Sequence, residues 1–369
     1  MPRTTATVDQ IRTVWQNPLV RRMFRFQRES RVARAKNSAE NFMTEFAVNL
    51  ISSRYLLTSA SQLMSDGEMR PNELEVSKNC HIYMVVARPA VHFDPSDFTY
   101  TDGVISGSLV YRTDDGEQRH QFSNPFPLKD GAIRLELSPY PHNEIRTYDS
   151  QGNILRWMPA NAVSVYQTQL SYEHAFRKLK VLYVGQSYAG GHSSAFDRLR
   201  KHDTLQKILA TTAYESPSKE ILVLTVEYLP PRIITAMNGM DKNLIRDERD
   251  EKRFSKALDA DFSKKLQISL VEAALIRYFQ PKYNTVFKKK FPSRDMKILQ
   301  ECYRYDFSSL AVEFDTSELR MVTYSDAVAP SDHHIANFRL TDDVARTQFF
   351  AMRSRPGYVD LTTPIVASK

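Results

Sequence analysis

The sequence predicts an α/β chain of the α+β kind, and three observations carry that expectation. Between residues 81 and 157 the apolar positions follow the two-residue period of strands. Between 179 and 279, apolar strand-like runs alternate with helical spacing. The first 65 residues show helical spacing without strand signals. At 369 residues, 42% hydrophobic and 11% aromatic, the chain has the length for two or three domains with sizeable cores.

In chain order, residues 1–65 read as a basic helical region. Ile11, Val14 and Trp15 form a short stripe; after Pro18 a longer one runs through Phe42, Phe46 and Leu50. The net charge is +7, and residues 1–36 hold nine basic side chains against Asp9 and Glu29, so the rest of the chain is neutral overall. Arg21, Arg25 and Arg28 share one face of the intervening helix, with Arg22 beside them. Such a segment draws in a polyanion and releases its counterions, so these four arginines are expected to contact nucleic-acid phosphates.

Turn residues over 64–71 end that region, and 75–157 reads as a β-rich accessory domain. Residues 81–87 form a compact β-forming run. The runs 104–111 and 117–122 flank the hairpin signal Asp114-Asp115-Gly116. Further strands are expected over 133–137, 145–148 and 154–157. No catalytic constellation stands out here, and His120, His142 and Glu144 read as surface residues.

Residues 160–287 alternate strands (163–170, 179–184, 221–228) with helices (195–212, 262–279). Pro230-Pro231 opens a polar insertion whose charged stretch, 241–256, reads as an exposed helix or loop. Residues 288–369 read as a β-rich extension with a strand pair over 310–314 and 318–324. It begins with Lys288, Lys289 and Lys290, a second basic contact, and its His333-His334 pair reads as surface. The two cysteines, Cys80 and Cys302, give neither a disulfide framework nor a zinc pattern. No run approaches the roughly 18 apolar residues of a membrane span, and the amino terminus lacks the apolar core of a signal peptide. A soluble, cytoplasmic protein with no membrane partner is the resulting expectation.

One residue breaks a pattern. Glu272 lies in an apolar helical stripe, with Ile268, Leu275, Ile276 and Phe279 on its own face. An unpartnered carboxylate there is costly, so a cation, a metal or a cleft must lie beside it.

The order of Leu182-Tyr183-Val184-Gly185-Gln186-Ser187, then Arg198 and His202 one helical turn apart, then Glu272 and Asn284, resembles the GIY-YIG nuclease superfamily, closest to its restriction-endonuclease branch. From Glu272 to Asn284 the chain matches the closing signature E-x-x-L-I-x-x-F-x-P-x-x-N at every position. Ser164-Val165-Tyr166 is the best candidate for the first motif, where the family has Gly-Ile-Tyr. The 16 residues between Tyr166 and Tyr183 then imply an extended hairpin.

The resemblance implies a core of a small antiparallel sheet flanked by helices, spanning 160–287, and a divalent-metal-dependent endonuclease. Glu272 would bind a single Mg2+ (or Mn2+), a cation that accepts one carboxylate and fills its shell with water and phosphate oxygen. Arg198 would clamp the phosphate with its planar fork. Either Tyr183 or Tyr166, helped by His202, would take the proton of the attacking water. Asn284 would tie down the segment after Pro281, and Gly185 would permit a backbone bend beside the site. Double-stranded DNA is the substrate by analogy, with RNA left open, as are a homodimer and a role in restriction or defence. A second reading is a nucleic-acid-binding protein that keeps the fold with little catalysis. A third gives 75–157 the sensing of a base, a partner or a signal.

Overall fold

The computed structural model describes residues 42–60, 63, 71–165, 174–188, 203–237, 244–343 and 346. It is a mixed α/β structure with one large, nearly closed sheet, two smaller sheets and a few helices. The first half carries β1 (Thr44–Ser59), α1 (Pro71–Asn79), β2 (Ile82–Pro89), β3 (Val91–Phe93), β4 (Thr99–Thr101), β5 (Val104–Thr113) and β6 (Gly116–Pro125). There follow β7 (Arg134–Leu137), β8 (Glu144–Tyr148), β9 (Ile154–Pro159), α2 (Ala160–Val165) and β10 (Lys178–Gln186). The second half carries α3 (Asp203–Glu215), β11 (Lys219–Tyr228), β12 (Arg232–Met237), α4 (Glu248–Leu258) and α5 (Lys264–Phe279). The described chain closes with α6 (Gln300–Arg304), β13 (Ser309–Asp315), β14 (Val322–Tyr324) and β15 (His333–Arg339).

The eight-stranded sheet runs β14-β10-β2-β11-β1-β13-β15, with β12 also paired to β1. Its strands come from every region that the sequence reading separated, so the sheet crosses the divisions drawn at 65, 157 and 287. Its two ends meet: Thr323 and Ser331 exchange backbone hydrogen bonds at 2.8 and 3.1 Å, and His334 Nε2 lies 3.0 Å from the Thr323 carbonyl. The sheet thus curls around α5, which packs on β2, β10, β13 and β15. That enclosure explains why α5 is buried nearly all round, as a helix without a polar face must be.

Several expectations are corrected. The helical reading of 1–65 fails from Thr44 on, because β1 is a 16-residue strand paired with β11, β12 and β13. The spacing of Phe42, Phe46 and Leu50 misled because four is an even number, so the same residues also share a strand face. Val48, fully buried between them, fits only the two-residue period. The strand expected over 163–170 is a helix at its start, α2, whose Ala160, Val163 and Ser164 are buried. Of the hairpin expected before Tyr183, 166–173 lie outside the described residues and Ala175–Arg177 form a helical turn, while β10 pairs with the distant β2 in antiparallel register. The polar insertion after Pro231 contains β12. Its charged stretch forms α4, whose Asp250 is buried. The expected pair of 310–314 with 318–324 does not form: β13 pairs with β1 and β15, whereas β14 pairs with β10. His334 is buried, not at the surface, and sits against Phe279 and Phe314.

Between β2 and β10 the chain makes an inserted unit, β3 to α2, with its own core around Phe93, Ile105, Leu109, Phe122 and Phe176. The hairpin read from Asp114-Asp115-Gly116 is present, with Thr113 opposite Gly116. Elsewhere a buried ionic cluster pins β1 to α4 and to the segment after α6. Glu45, whose side chain is 1% exposed, takes both arms of Arg346 at 2.8 and 3.0 Å, while Asp306 pairs with Arg253 at 2.7 Å and with Arg346 at 3.0 Å. Burial pushes the Glu45 carboxyl up, against the pull of Arg346. No described helix is long and apolar enough to cross a membrane.

Candidate active site

The site is built around the carboxyl-terminal end of β10. Val181 packs into the core on the α5 side of the sheet, and simple alternation would send Tyr183 the same way. A bulge intervenes: Val181 lies opposite Val86, but Tyr183 lies opposite Val85, leaving Leu182 as the extra residue. The bulge turns Tyr183 to the other face, where it joins Tyr83 in the cluster that α3 covers with Leu205 and Ile208. Their ring centroids are 6.1 Å apart, tilted by 32°. Sequence reasoning missed Tyr83, which has the same β2 neighbourhood that the distant pairing creates.

Gly185 sits directly opposite Tyr83 in the ladder. A Cβ there would lie 2.6 Å from both Cζ and Oη of Tyr83 and 2.8 Å from Cε1 of Tyr183. The absent side chain is therefore the space that the two phenol rings occupy. The next residue, Gln186, donates from Nε2 to Glu272 Oε2 at 2.7 Å. The half-buried Glu272 is thus held at the same end of β10 as the two tyrosines. The two tyrosines meet over Gly185 on the α3 face of the sheet, and the carboxylate on α5 is held by the next residue, Gln186.

Contacts to the residues on either side hold this dipeptide in place. Asn284, buried, accepts from the Val184 N–H at 2.9 Å and donates to the Val184 carbonyl at 2.8 Å. Its amide stands in for a neighbouring strand, and Tyr283 N–H adds a bond to the Leu182 carbonyl at 3.1 Å. On the far side of the turn, Ser187 N–H donates to the His81 carbonyl at 2.8 Å. His81 Nδ1 lies 3.0 Å from the Ser187 carbonyl; a carbonyl only accepts, so Nδ1 carries the proton. Burial lowers the His81 pKa and favours the neutral ring.

Tyr166, Arg198 and His202 lie outside the described residues, as do Arg21, Arg22, Arg25 and Arg28. Of the lysine run, Lys288 gives its ammonium to the Pro281 carbonyl at 2.8 Å and bears on the turn after α5, while Lys289 and Lys290 are exposed. The sequence signal that could have found Tyr83 is His81-Ile82-Tyr83, a β-forming tripeptide ending in tyrosine at the start of a buried strand. It stands 100 positions before Tyr183, far beyond the reach of a hairpin search.

As a metal ligand set, one half-buried carboxylate with an amide beside it fits a hard cation that retains most of its water, such as Mg2+ or Mn2+. Among the described residues no group of three His, Cys, Asp or Glu side chains could cage a metal. Comparison with family models, with curated proteins and with solved structures finds no match to this chain.

Proposed function

We propose that the chain is a divalent-metal-dependent endonuclease of the GIY-YIG kind that hydrolyses phosphodiester bonds in double-stranded DNA. The observation that carries this reading is that Tyr83 and Tyr183 meet over Gly185 and that Glu272 is held by the adjoining Gln186, at one end of a strand held by Asn284. Tyr83 takes the role first sought at Tyr166. Ile82-Tyr83 lies antiparallel to Val184-Gly185, as paired first and second motifs of this family require.

In this mechanism Glu272, whose Oε2 accepts from the Gln186 amide, would hold the divalent cation. When bound, that cation supplies Lewis-acid stabilisation of the phosphate and leaving oxygen. Tyr83 or Tyr183 accepts the proton of the attacking water, and Arg198 offsets the charge that builds on the phosphate. A phenol of ordinary pKa near ~10 is a weak base, so proton acceptance would require a cation beside the ring. The enclosing sheet and α3 shield the two rings from bulk solvent, Tyr83 being wholly buried.

The test is cleavage of supercoiled plasmid by the purified full chain in Mg2+ or Mn2+, with chelator, single-stranded DNA and RNA as comparisons. Glu272→Gln should abolish cleavage while leaving the fold and DNA binding intact. Full cleavage by this variant in Mg2+ would sink the assignment. Tyr83→Phe should cost far more activity than Tyr166→Phe; the reverse order would return the first-motif role to Tyr166.

A further inference from the structure

A cleft of about 470 Å3 opens between the inserted unit and the large sheet. One wall is the turn of the β5–β6 hairpin, from Arg112 to Asp114. The opposite wall is the start of β10, and the floor is closed by the last turn of α3 and the segment after α5. Its lining carries more cations than acids. Two of the acids are already paired, Asp326 with Lys180 at 2.5 Å and Glu215 with Lys282 at 3.9 Å. Arg88 is paired with Glu220 at 2.7 Å. Arg112 and Lys219 are exposed and have no ion-pair partner among the described residues, and Asp114 is the one remaining lining acid. Thr211, Ser216 and Ser218 add hydroxyl donors.

Cations interspersed with neutral hydroxyls are the groups that contact nucleic-acid phosphates. The carboxyl-terminal ends of α3 and α5 also lie here, and their carbonyl dipoles disfavour a lone anion set deep in the cleft. The ligand that fits has its charge spread along a chain and meets the cations at the rim. Ala87 lines this cleft, and Tyr83 stands on the same face of β2 four residues earlier. At ~3.3 Å per strand residue the two lie about 13 Å apart, a span that a few consecutive phosphates of one DNA strand cover.

We propose that this cleft holds the phosphodiester backbone of duplex DNA a few phosphates from the bond presented at Gly185-Gln186, with the β5–β6 hairpin as one jaw. The inserted unit is then a substrate-binding element. The choice of DNA rests on the proposed nuclease reading; the cleft's charge and hydroxyl lining do not.

The experiment measures binding of a fluorescein-labelled 30-base-pair (~30) duplex to the full chain by anisotropy, in chelator so that nothing is cleaved, across a salt series. The double variant Arg112→Gln/Lys219→Gln changes only exposed side chains, and an unchanged circular dichroism melt will show that it folds. Two lost phosphate contacts should reduce the slope of log K against log salt by about 1.8, while cleavage at saturating DNA persists. An unchanged slope and affinity overturns the cleft proposal even if the parent protein cleaves DNA, in which case the nuclease reading stands. A reduced slope in a protein that cleaves nothing supports the cleft and removes the nuclease reading. Preferential binding of a matched RNA, or no binding of duplex DNA by the parent protein, overturns the proposal.

Discussion

Gly185→Ala is the most searching perturbation of the site, because its effect follows from distances alone. The backbone of Gly185 is not in the left-handed region, so alanine meets no torsional penalty there and the cost is purely steric. The new methyl would stand 2.6 Å from Tyr83 Cζ and Oη, whereas ordinary carbon contacts lie at ~3.5–4.0 Å. The Tyr83 ring must therefore withdraw by about 1 Å. It has nowhere to go: it is wholly buried, and its strand is locked between β10 and β11. Overpacking of this kind costs ~1–3 kcal/mol, readable as a lower urea midpoint with an unchanged slope. A displacement of about 1 Å in a catalytic group costs on the order of 100-fold in rate, so plasmid cleavage should fall much further than stability does. Tyr83→Leu removes the two nearest contacted atoms and leaves Tyr183 Cε1, at 2.8 Å, as the remaining clash. In that background Gly185→Ala should cost less than half of what it costs alone, a coupling that a double-mutant cycle measures. Parental stability and parental cleavage in Gly185→Ala would refute the reasoning outright.

Two other predictions concern the frame around the site. Asn284→Ala strips the Val184 N–H and carbonyl of their partners; at roughly 1–3 kcal/mol for each buried group left unsatisfied, it should lower the urea midpoint sharply. Asn284→Asp can accept from the N–H but cannot donate to the carbonyl, so it should be intermediate; equal stability of all three proteins would show that the amide holds nothing. Burial pushes the His334 pKa down to about 4, with Tyr278 O–H donating to Nδ1 at 3.0 Å and Nε2 donating to the Thr323 carbonyl. Because the folded pKa lies below the unfolded value, the unfolded chain binds the extra proton. Stability should be full above about pH 6.5 and fall as the pH drops towards 4, by up to about 3 kcal/mol. Urea titrations of the parent and His334→Gln between those limits should show the difference, and parallel pH profiles would exclude His334 as its source.

Much of the site was legible because it is local. Glu272, the α5 stripe around it and the stop at Pro281 are set by spacing within a few turns, and α5 spans Lys264–Phe279 close to the expected limits. The buried run into Gly185 and the Asp114-Asp115-Gly116 turn were legible for the same reason: strand alternation and turn chemistry act over a few residues. The failures share a different cause. The spacing of Phe42, Phe46 and Leu50 satisfies both a helix and a strand, and only the pairing of β1 with β11, β12 and β13 decides between them. His334 looked like a surface residue because nothing near it in sequence reveals Tyr278 and Thr323.

The sequence by itself determined the α/β class, the strand-then-helix order from β10 to α5, and the placing of one carboxylate in an apolar stripe. Tertiary structure alone decided that β2, across an insertion of its own core, pairs with β10 and brings Tyr83 over Gly185. It also decided that the sheet rolls round α5, and that the β5–β6 hairpin faces the start of β10 across a cleft. Backbone hydrogen bonding between strands is indifferent to the distance along the chain that separates them, whereas every sequence pattern read here decays within a few residues.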